Sequence, residues 1–335
     1  MDETILEIKN LNMVFSSGKS KVHAVDNVSF RIKQGETVGI VGESGCGKTT
    51  LGRCIALAYK ATSGQVLYHA ADGKEYNIQA ISKQKLRSIR KEIQMIFQDP
   101  YSSLDPRMTV FDIISEPLRA NYKKIPKNEM EYRVQDVAKK VGLNPSYLKR
   151  YPHAFSGGQR QRIGIARALI LYPRVIICDE PVSALDVSVQ SQVINLLMDL
   201  QEKMNLTYLF ISHDLSVVEH ISNQVGVMYL GQIVEYASTD SLFHNPCHPY
   251  TEALLSAIPL ADPDTPMEHI PLKGEIPNPS NVPSGCFFHT RCPYCQERCI
   301  RERTSLTRLD DGRLVSCHFS GKLPLQGIQA EVSRS

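Results

Sequence analysis

Residues 37–49 read TVGIVGESGCGKT: an apolar run ends in glycine and passes straight into the spacing G-x-x-x-x-G-K-T. A short, wholly apolar run suits a strand buried on both faces of a sheet, and residues 48–58 read as a helix, so the glycine-rich stretch has to turn strand into helix. Gly42, Gly45 and Gly47 let the backbone curl until its N–H groups face a common point. That point lies at a helix N-terminus, which itself attracts anions. In such a loop Lys48 reaches the β- and γ-phosphates of a nucleotide and Thr49 offers its hydroxyl to Mg²⁺. Ser44 and Thr50 add phosphate contacts, and Cys46 reads as a small residue that fits inside the loop rather than as a reactive thiol.

The alternation of strand and helix continues beyond the loop. ILEIKNL (5–11) and VSFRI (28–32) alternate apolar and polar, as half-buried strands do. RVIICDE and LTYLFIS read as further central strands, while residues 160–171 and 187–204 read as helices and the segment 108–148 is helical by period. The expectation is an α/β fold with a parallel sheet. Asp179 ends a buried strand and is placed to hold Mg²⁺ through water; Glu180 follows it as the candidate base for the attacking water. Gln98 in IFQDP and His213 in FISHD are polar residues just after apolar strand-like runs, and Phe15 is an aromatic upstream of the loop that could stack on a base. Taken singly, Gln98 and His213 read more often as satisfied structural residues than as active-site groups, and Phe15 reads as core.

Composition narrows the function classes. The chain has 335 residues, 42% of them hydrophobic, and room for two or three subdomains. A net charge of +3 gives no basic stripe for nucleic acid. MDETILEIKN lacks the pattern of a secretion signal, and no apolar run approaches the ~20 residues a membrane-crossing helix needs. The expected compartment is therefore the reducing cytosol, with any membrane association peripheral. Prolines recur from Pro259 to Pro293, marking a loop-rich tail, and GCFFHTRCPYCQERC (285–299) concentrates Cys286, Cys292, Cys295 and Cys299 ahead of Cys317. In a reducing compartment such a cluster reads as a metal site. Zinc would use knuckles such as Cys292–Cys295 or Cys295–Cys299, with Cys317 and His318 as the second pair; an iron–sulfur cluster would take four thiolates from the irregular loop. Cys54, Cys178 and Cys247 read as small core residues.

FSGGQRQ (155–161), upstream of the Asp-Glu pair, is similar to the signature motif of ATP-binding cassette ATPases, and SALD (183–186) resembles their D-loop. The order Phe15, GESGCGKT, Gln98, SGGQ, VIICDE, SALD, His213 covers roughly residues 5–235. The resemblance implies a P-loop cassette: a RecA-like core with an antiparallel β subdomain and a helical signature subdomain at roughly 100–170, all within 1–250. A Cys-rich, Pro-rich appendage would occupy 251–335. It further implies that Ser156, Gly157, Gly158 and Gln159, with Asp186 and Arg150, act on nucleotide held by another subunit, and that Thr49, Gln98 and Asp179 serve Mg²⁺. Phe155 stands where many cassettes have Leu and is an apolar anchor either way.

QDPYSSLDPRMTVFDIISEPL, HPYTEALLSAIP and GEIPNPSNVPSGCFFHTRCP look like the dipeptide/oligopeptide importer ATPases, specifically the second of their two ATPase subunits. That resemblance implies ATP hydrolysis at the cytoplasmic face of the cell membrane. The implied partners are a second cassette subunit, two permeases docked near residues 98–117, and an extracytoplasmic peptide-binding protein. It also implies a [4Fe–4S] cluster on Cys286, Cys292, Cys299 and Cys317, because the importers' tail spacing C-x₅-C-x₆-C-x₁₇-C is matched by those four; Cys295 is left over and zinc is the alternative. A cassette acting on nucleic acid or ribosomes would need a coiled-coil insertion or a tandem cassette. A redox enzyme would need a second cofactor site. None of these features is visible.

Overall fold

Thr37–Val41 is a strand buried at every position, with a parallel neighbour on each side. The structure is a computed structural model that describes residues 3–18, 20–99, 101–122, 124–258 and 270–328. The proline-bearing stretch 259–269 and residue 100 of the QDP segment lie outside the described residues. In chain order the strands are β1 (Thr4–Ser17), β2 (Ser20–Lys33), β3 (Thr37–Val41), β4 (Ser63–His69), β5 (Glu75–Asn77), β6 (Ile93–Ile96), β7 (Val175–Asp179), β8 (Thr207–Ile211), β9 (Gln224–Tyr229), β10 (Gln232–Ser238), β11 (Thr307–Arg308) and β12 (Leu314–Val315).

Two sheets result. One is antiparallel in the order β2-β1-β4-β5; the other runs β11-β12-β10-β9-β3-β8-β7-β6. In the larger sheet β9, β3, β8, β7 and β6 are mutually parallel, while β10, β12 and β11 add an antiparallel edge. Parallel strands need covered faces and crossover helices. The buried runs VIICD and TYLFI supply the apolar strands, and Lys48–Ile55 and Val187–Met204 are among the helices that connect them. Val187–Met204 buries Val193, Ile194, Leu197 and Leu200, a stripe at helical spacing.

The segment 108–148, helical by period, forms two helices, Val110–Asn121 and Lys127–Lys140. The first ends where Tyr122 turns extended (φ −116°, ψ 118°), and Pro126 is the N-cap of the second. Both helices pack with Gly157–Leu169 through Ile114, Val134, Val137 and Ile163.

The region beyond β10 is tied back to the sheet by one buried carboxylate. Glu235, fully buried in β10, accepts the N–H groups of Cys247 at 2.8 Å and His248 at 3.0 Å, fixing the turn that opens helix Pro249–Leu255. Burial pushes the Glu235 carboxyl from 4.5 up to about 7. The folded state therefore keeps this proton to higher pH than the unfolded chain does. The group's contribution to stability is fully present below about pH 4.5 and is lost as pH rises through about 7. Glu235→Gln should flatten the decline of unfolding free energy across that window, measured by chemical denaturation at a series of pH values. A pH profile that superimposes on the parent's would show that the carboxyl is already ionised in the fold.

Candidate functional site

The glycine-rich loop packs closely on β9 at Met228 and on β2 at Ala24. Gly42 has φ +146° and Gly47 φ +109°; a Cβ would stand 2.2 Å from the Met228 carbonyl oxygen at the first and 2.0 Å from that of Ala24 at the second. Only glycine fits at either position. Helix Lys48–Ile55 starts at Gly47 with no side-chain cap, so its first amides remain available to a ligand. Lys48 is buried, and its Nζ donates to the carbonyls of Gly42 at 2.7 Å and Glu43 at 3.0 Å. Gly45, Cys46, Gly47, Lys48, Thr49 and Thr50 line a cleft together with residues 22–24 and Leu230–Gly231. Ser44 is exposed. Burial raises the Cys46 thiol's pKa, which suits a packing role rather than a reactive one. Phe15 does not line this cleft; it is 40% exposed and its ring meets Tyr59 edge-on at 5.7 Å.

Beside the loop, the Thr49 hydroxyl donates to Asp179 Oδ1 at 2.8 Å. Burial raises the Asp179 pKa and the Thr49 hydrogen bond opposes that shift. A hydroxyl and a carboxylate oxygen at one point are hard oxygen donors of the kind Mg²⁺ selects. Glu180 has φ +46°, a left-handed conformation that costs a non-glycine residue about 1–3 kcal/mol. Its N–H donates to the Ile211 carbonyl at 2.9 Å, and Gln98 Nε2 donates to its carboxylate Oε2 at 2.9 Å. His213 Nδ1 lies 3.2 Å from the same oxygen; since a carboxylate only accepts, Nδ1 carries the proton there. Gln98, Glu180 and His213 are thus brought into one hydrogen-bonded set next to Asp179.

The signature residues form a separate place on this chain. Ser156 caps helix Gly157–Leu169, its Oγ accepting the Gln159 N–H while Gln159 Oε1 accepts the Ser156 N–H at 3.1 Å. A Cβ on Gly158 would stand 2.4 Å from Val189 Cγ1, so this helix start abuts the start of Val187–Met204, where Asp186 is the N-cap. Ser156, Gln159 and Asp186 are exposed, and none of them lines the cleft at the loop. Arg150 stacks its guanidinium 4.0 Å over the Tyr147 ring.

Cys286, Cys292, Cys299 and Cys317 line one small cleft with His248 and Phe288; Cys295 is not part of it. The Phe319 N–H donates to Cys317 Sγ at 3.4 Å, and backbone amides at Tyr294 and Phe288 face the sulfurs of Cys292 and Cys286. Those amides favour thiolates, against burial that pushes Cys292 up to about 12 and Cys317 up to about 11. Among the described residues no three His, Cys, Asp or Glu side chains are grouped closely enough to hold a single metal ion. Cys54 and Cys178 are fully buried and Cys247 nearly so.

Glu43, a spacer position in the loop motif, carries contacts that sequence reasoning did not find. Tyr250 and Arg291 both bind it from the C-terminal part of the chain. No local pattern links residues so far apart.

Residues 25–183 match the ABC transporter family, and residues 234–299 match the oligopeptide/dipeptide transporter C-terminal region. The chain is 52% identical to the oligopeptide transport ATP-binding protein AppF of Bacillus subtilis, covering 95% of this chain and 98% of that one. It is 53% identical to oligopeptide transport ATP-binding protein OppF of Escherichia coli, over 90% and 89% of the two chains. The di/tripeptide transport ATP-binding protein DppF of Pseudomonas aeruginosa is 47% identical over 95% and 98%. Among solved structures, the dimeric post-hydrolysis state of the ATP-binding cassette MJ0796 bound to ADP and Pi superposes with a TM-score of 0.62 at 29% identity, covering 70% of this chain and 99% of that one. The cassette cbiO1 of Clostridium perfringens gives 0.63 at 30%, over 72% and 91%. With its loop, its strand-end carboxylates and relatives of this kind along nearly its whole length, the chain belongs to the ATP-binding cassette ATPases, in the branch of the oligopeptide and dipeptide transport ATP-binding proteins.

Proposed function

We propose that this chain hydrolyses ATP to drive an importer of dipeptides or oligopeptides across the cytoplasmic membrane. The observation that carries this reading is the convergence at one sheet edge of the loop 42–49, the Thr49–Asp179 pair and the Gln98–Glu180–His213 set. The peptide-transport names of its full-length relatives supply the cargo class. In this reading the amides of the loop and Lys48 bind the triphosphate, with Ser44 and Thr50 beside them and Phe15 toward the base. Thr49, Asp179 and Gln98 hold Mg²⁺, which when bound neutralises charge on the phosphate oxygens. Glu180, oriented by Gln98 and His213, takes the proton of the attacking water.

Residues 1–250 act as the cassette and 251–335 as a transporter-specific region. No described helix is long and apolar enough to cross a membrane. The chain works at the cytoplasmic face beneath two permeases, paired with a second, non-identical cassette and supplied by an extracytoplasmic peptide-binding protein. The pairing accounts for the exposed Ser156, Gln159 and Asp186, which stand apart from the chain's own loop. They complete the site of the other cassette, with Gly157, Gly158 and Arg150.

The four cysteines of the C-terminal cleft hold a [4Fe–4S] cluster. Supporting this are their shared cleft, the backbone amides aimed at three of the sulfurs, and the position of Cys295 outside it.

Three outcomes are expected. Glu180→Gln should lower turnover by ~10²–10⁴-fold and leave ATP binding in place; near-normal single-turnover hydrolysis would show that Glu180 is not the base. The isolated chain should hydrolyse ATP slowly and gain activity when mixed with its cognate cassette or reconstituted with permeases. High activity independent of concentration and partner would contradict the shared-site reading. Protein purified without oxygen should be brown and contain iron and sulfide, and Ser at Cys286, Cys292, Cys299 or Cys317 should bleach it while Cys295→Ser should not. Stoichiometric zinc in such a preparation would overturn the cluster.

A further inference from the structure

The residue directly after Gly42 is held on every polar group it has. The Glu43 N–H donates to the Tyr250 hydroxyl at 2.9 Å, and its carbonyl accepts Lys48 Nζ at 3.0 Å. Its carboxylate accepts both arms of the Arg291 guanidinium, Nη1 at 2.6 Å and Nη2 at 3.0 Å. Arg291 is nearly buried, its side chain 5% exposed against 24% for Glu43. A paired fork of this kind fixes geometry as well as charge. The guanidinium also lies 5.9 Å from the centre of the Tyr229 ring, and Tyr229, Tyr250 and Phe288 pack together with centroids 4.7–5.4 Å apart.

Arg291 belongs to the cysteine segment: it sits directly before Cys292, and Phe288 and Cys292 line the same cleft. The C-terminal region also reaches the nucleotide cleft a second time, where Pro279 joins its lining and Ser280 meets Ser20 at 3.1 Å.

We propose that Arg291 is a positioning residue of the phosphate loop, acting through Glu43 and linking the cysteine cleft to nucleotide affinity. The inference rests on the reading of 42–49 as the ATP site. Two physical effects support it. Glu43 places a carboxylate in a loop that has to accept a polyanion, and Arg291 neutralises it. The fork and the Tyr250 hydroxyl also fix the start of the loop before ligand arrives, so less ordering remains to be done on binding. Because coupling between two sites is reciprocal, nucleotide in the loop steadies the cysteine segment to the same degree as the segment steadies the loop.

The test is calorimetric titration of the full chain with Mg-ATP, using a Glu180→Gln background to prevent turnover. Arg291→Gln should raise the dissociation constant by about ten-fold, within the usual range for coupled sites. Adding Glu43→Gln to Arg291→Gln should recover most of that loss, because it removes the carboxylate left uncompensated. A purely structural role for Arg291 gives no such recovery. Unchanged affinity in a folded Arg291→Gln chain, or a double variant that binds no better than the single, overturns the proposal. Should Arg291→Gln fail to fold, amide hydrogen exchange on the unaltered chain decides: ATP should slow exchange across 286–292, and no change there overturns it. Lys48→Ala separates the two readings. Weakened binding in Lys48→Ala beside unchanged binding in Arg291→Gln sinks only the positioning role, whereas unchanged binding in both overturns the ATP site as well.

Discussion

Five strands of the large sheet run the same way, and that single constraint places the chemistry. β3, β6, β7, β8 and β9 all end at one edge, so the residues that leave their C-terminal ends arrive at the same place: Gly42, Gln98, Glu180, His213 and Leu230. Parallel α/β sheets bind ligands at this edge because loops leaving the strand ends there can converge without crossing. Residues from positions 42 to 231 become neighbours through topology alone. Side-chain hydrogen bonds then refine the arrangement, Thr49 to Asp179 and Gln98 to Glu180 among them. Strain at Glu180 is tolerated because its N–H and its carboxylate are both held.

How much can be read from the residues depends on how local each demand is. A phosphate loop needs its glycines, lysine and threonine contiguous, so 42–49 is visible as written. Buried central strands are equally visible, since VIICD and TYLFI have no polar face to show. β1 is harder. Asn10 has φ +46° and the pairing with β2 slips between Ile8 and Leu11, so the alternation loses phase and the strand extends well beyond residue 11. The hairpin β9–β10 gives no alternating signal, because β9 is buried on nearly every residue. Gln98 and His213 can be named from the sequence but not joined; only the fold brings both to Glu180. Glu43, Tyr250 and Arg291 escape sequence reasoning altogether, because their contacts span more than two hundred residues and belong to no motif.

Two buried or near-buried ionic groups attach the C-terminal region to the cassette, and they do so differently. Glu235 is compensated at its carboxylate by backbone amides, and burial holds its proton to higher pH. Arg291 has a full bidentate partner, and that partner stands in the glycine-rich loop. Removing one member of a buried pair leaves the other uncompensated, which costs more than the pair contributes. The C-terminal region in this sense helps hold the glycine-rich loop in place.

The central question is which residues surround the γ-phosphate. A structure of the chain with its partner cassette, Mg²⁺ and a non-hydrolysable ATP analogue would decide this. The expected result is a triphosphate cradled by the amides of 42–49 and by Lys48, with the signature helix of the opposite cassette closing over it and this chain's Ser156–Gln159 closing over the other nucleotide. A triphosphate bound away from the loop, or one contacted by Ser156–Gln159 of the same chain, would contradict it.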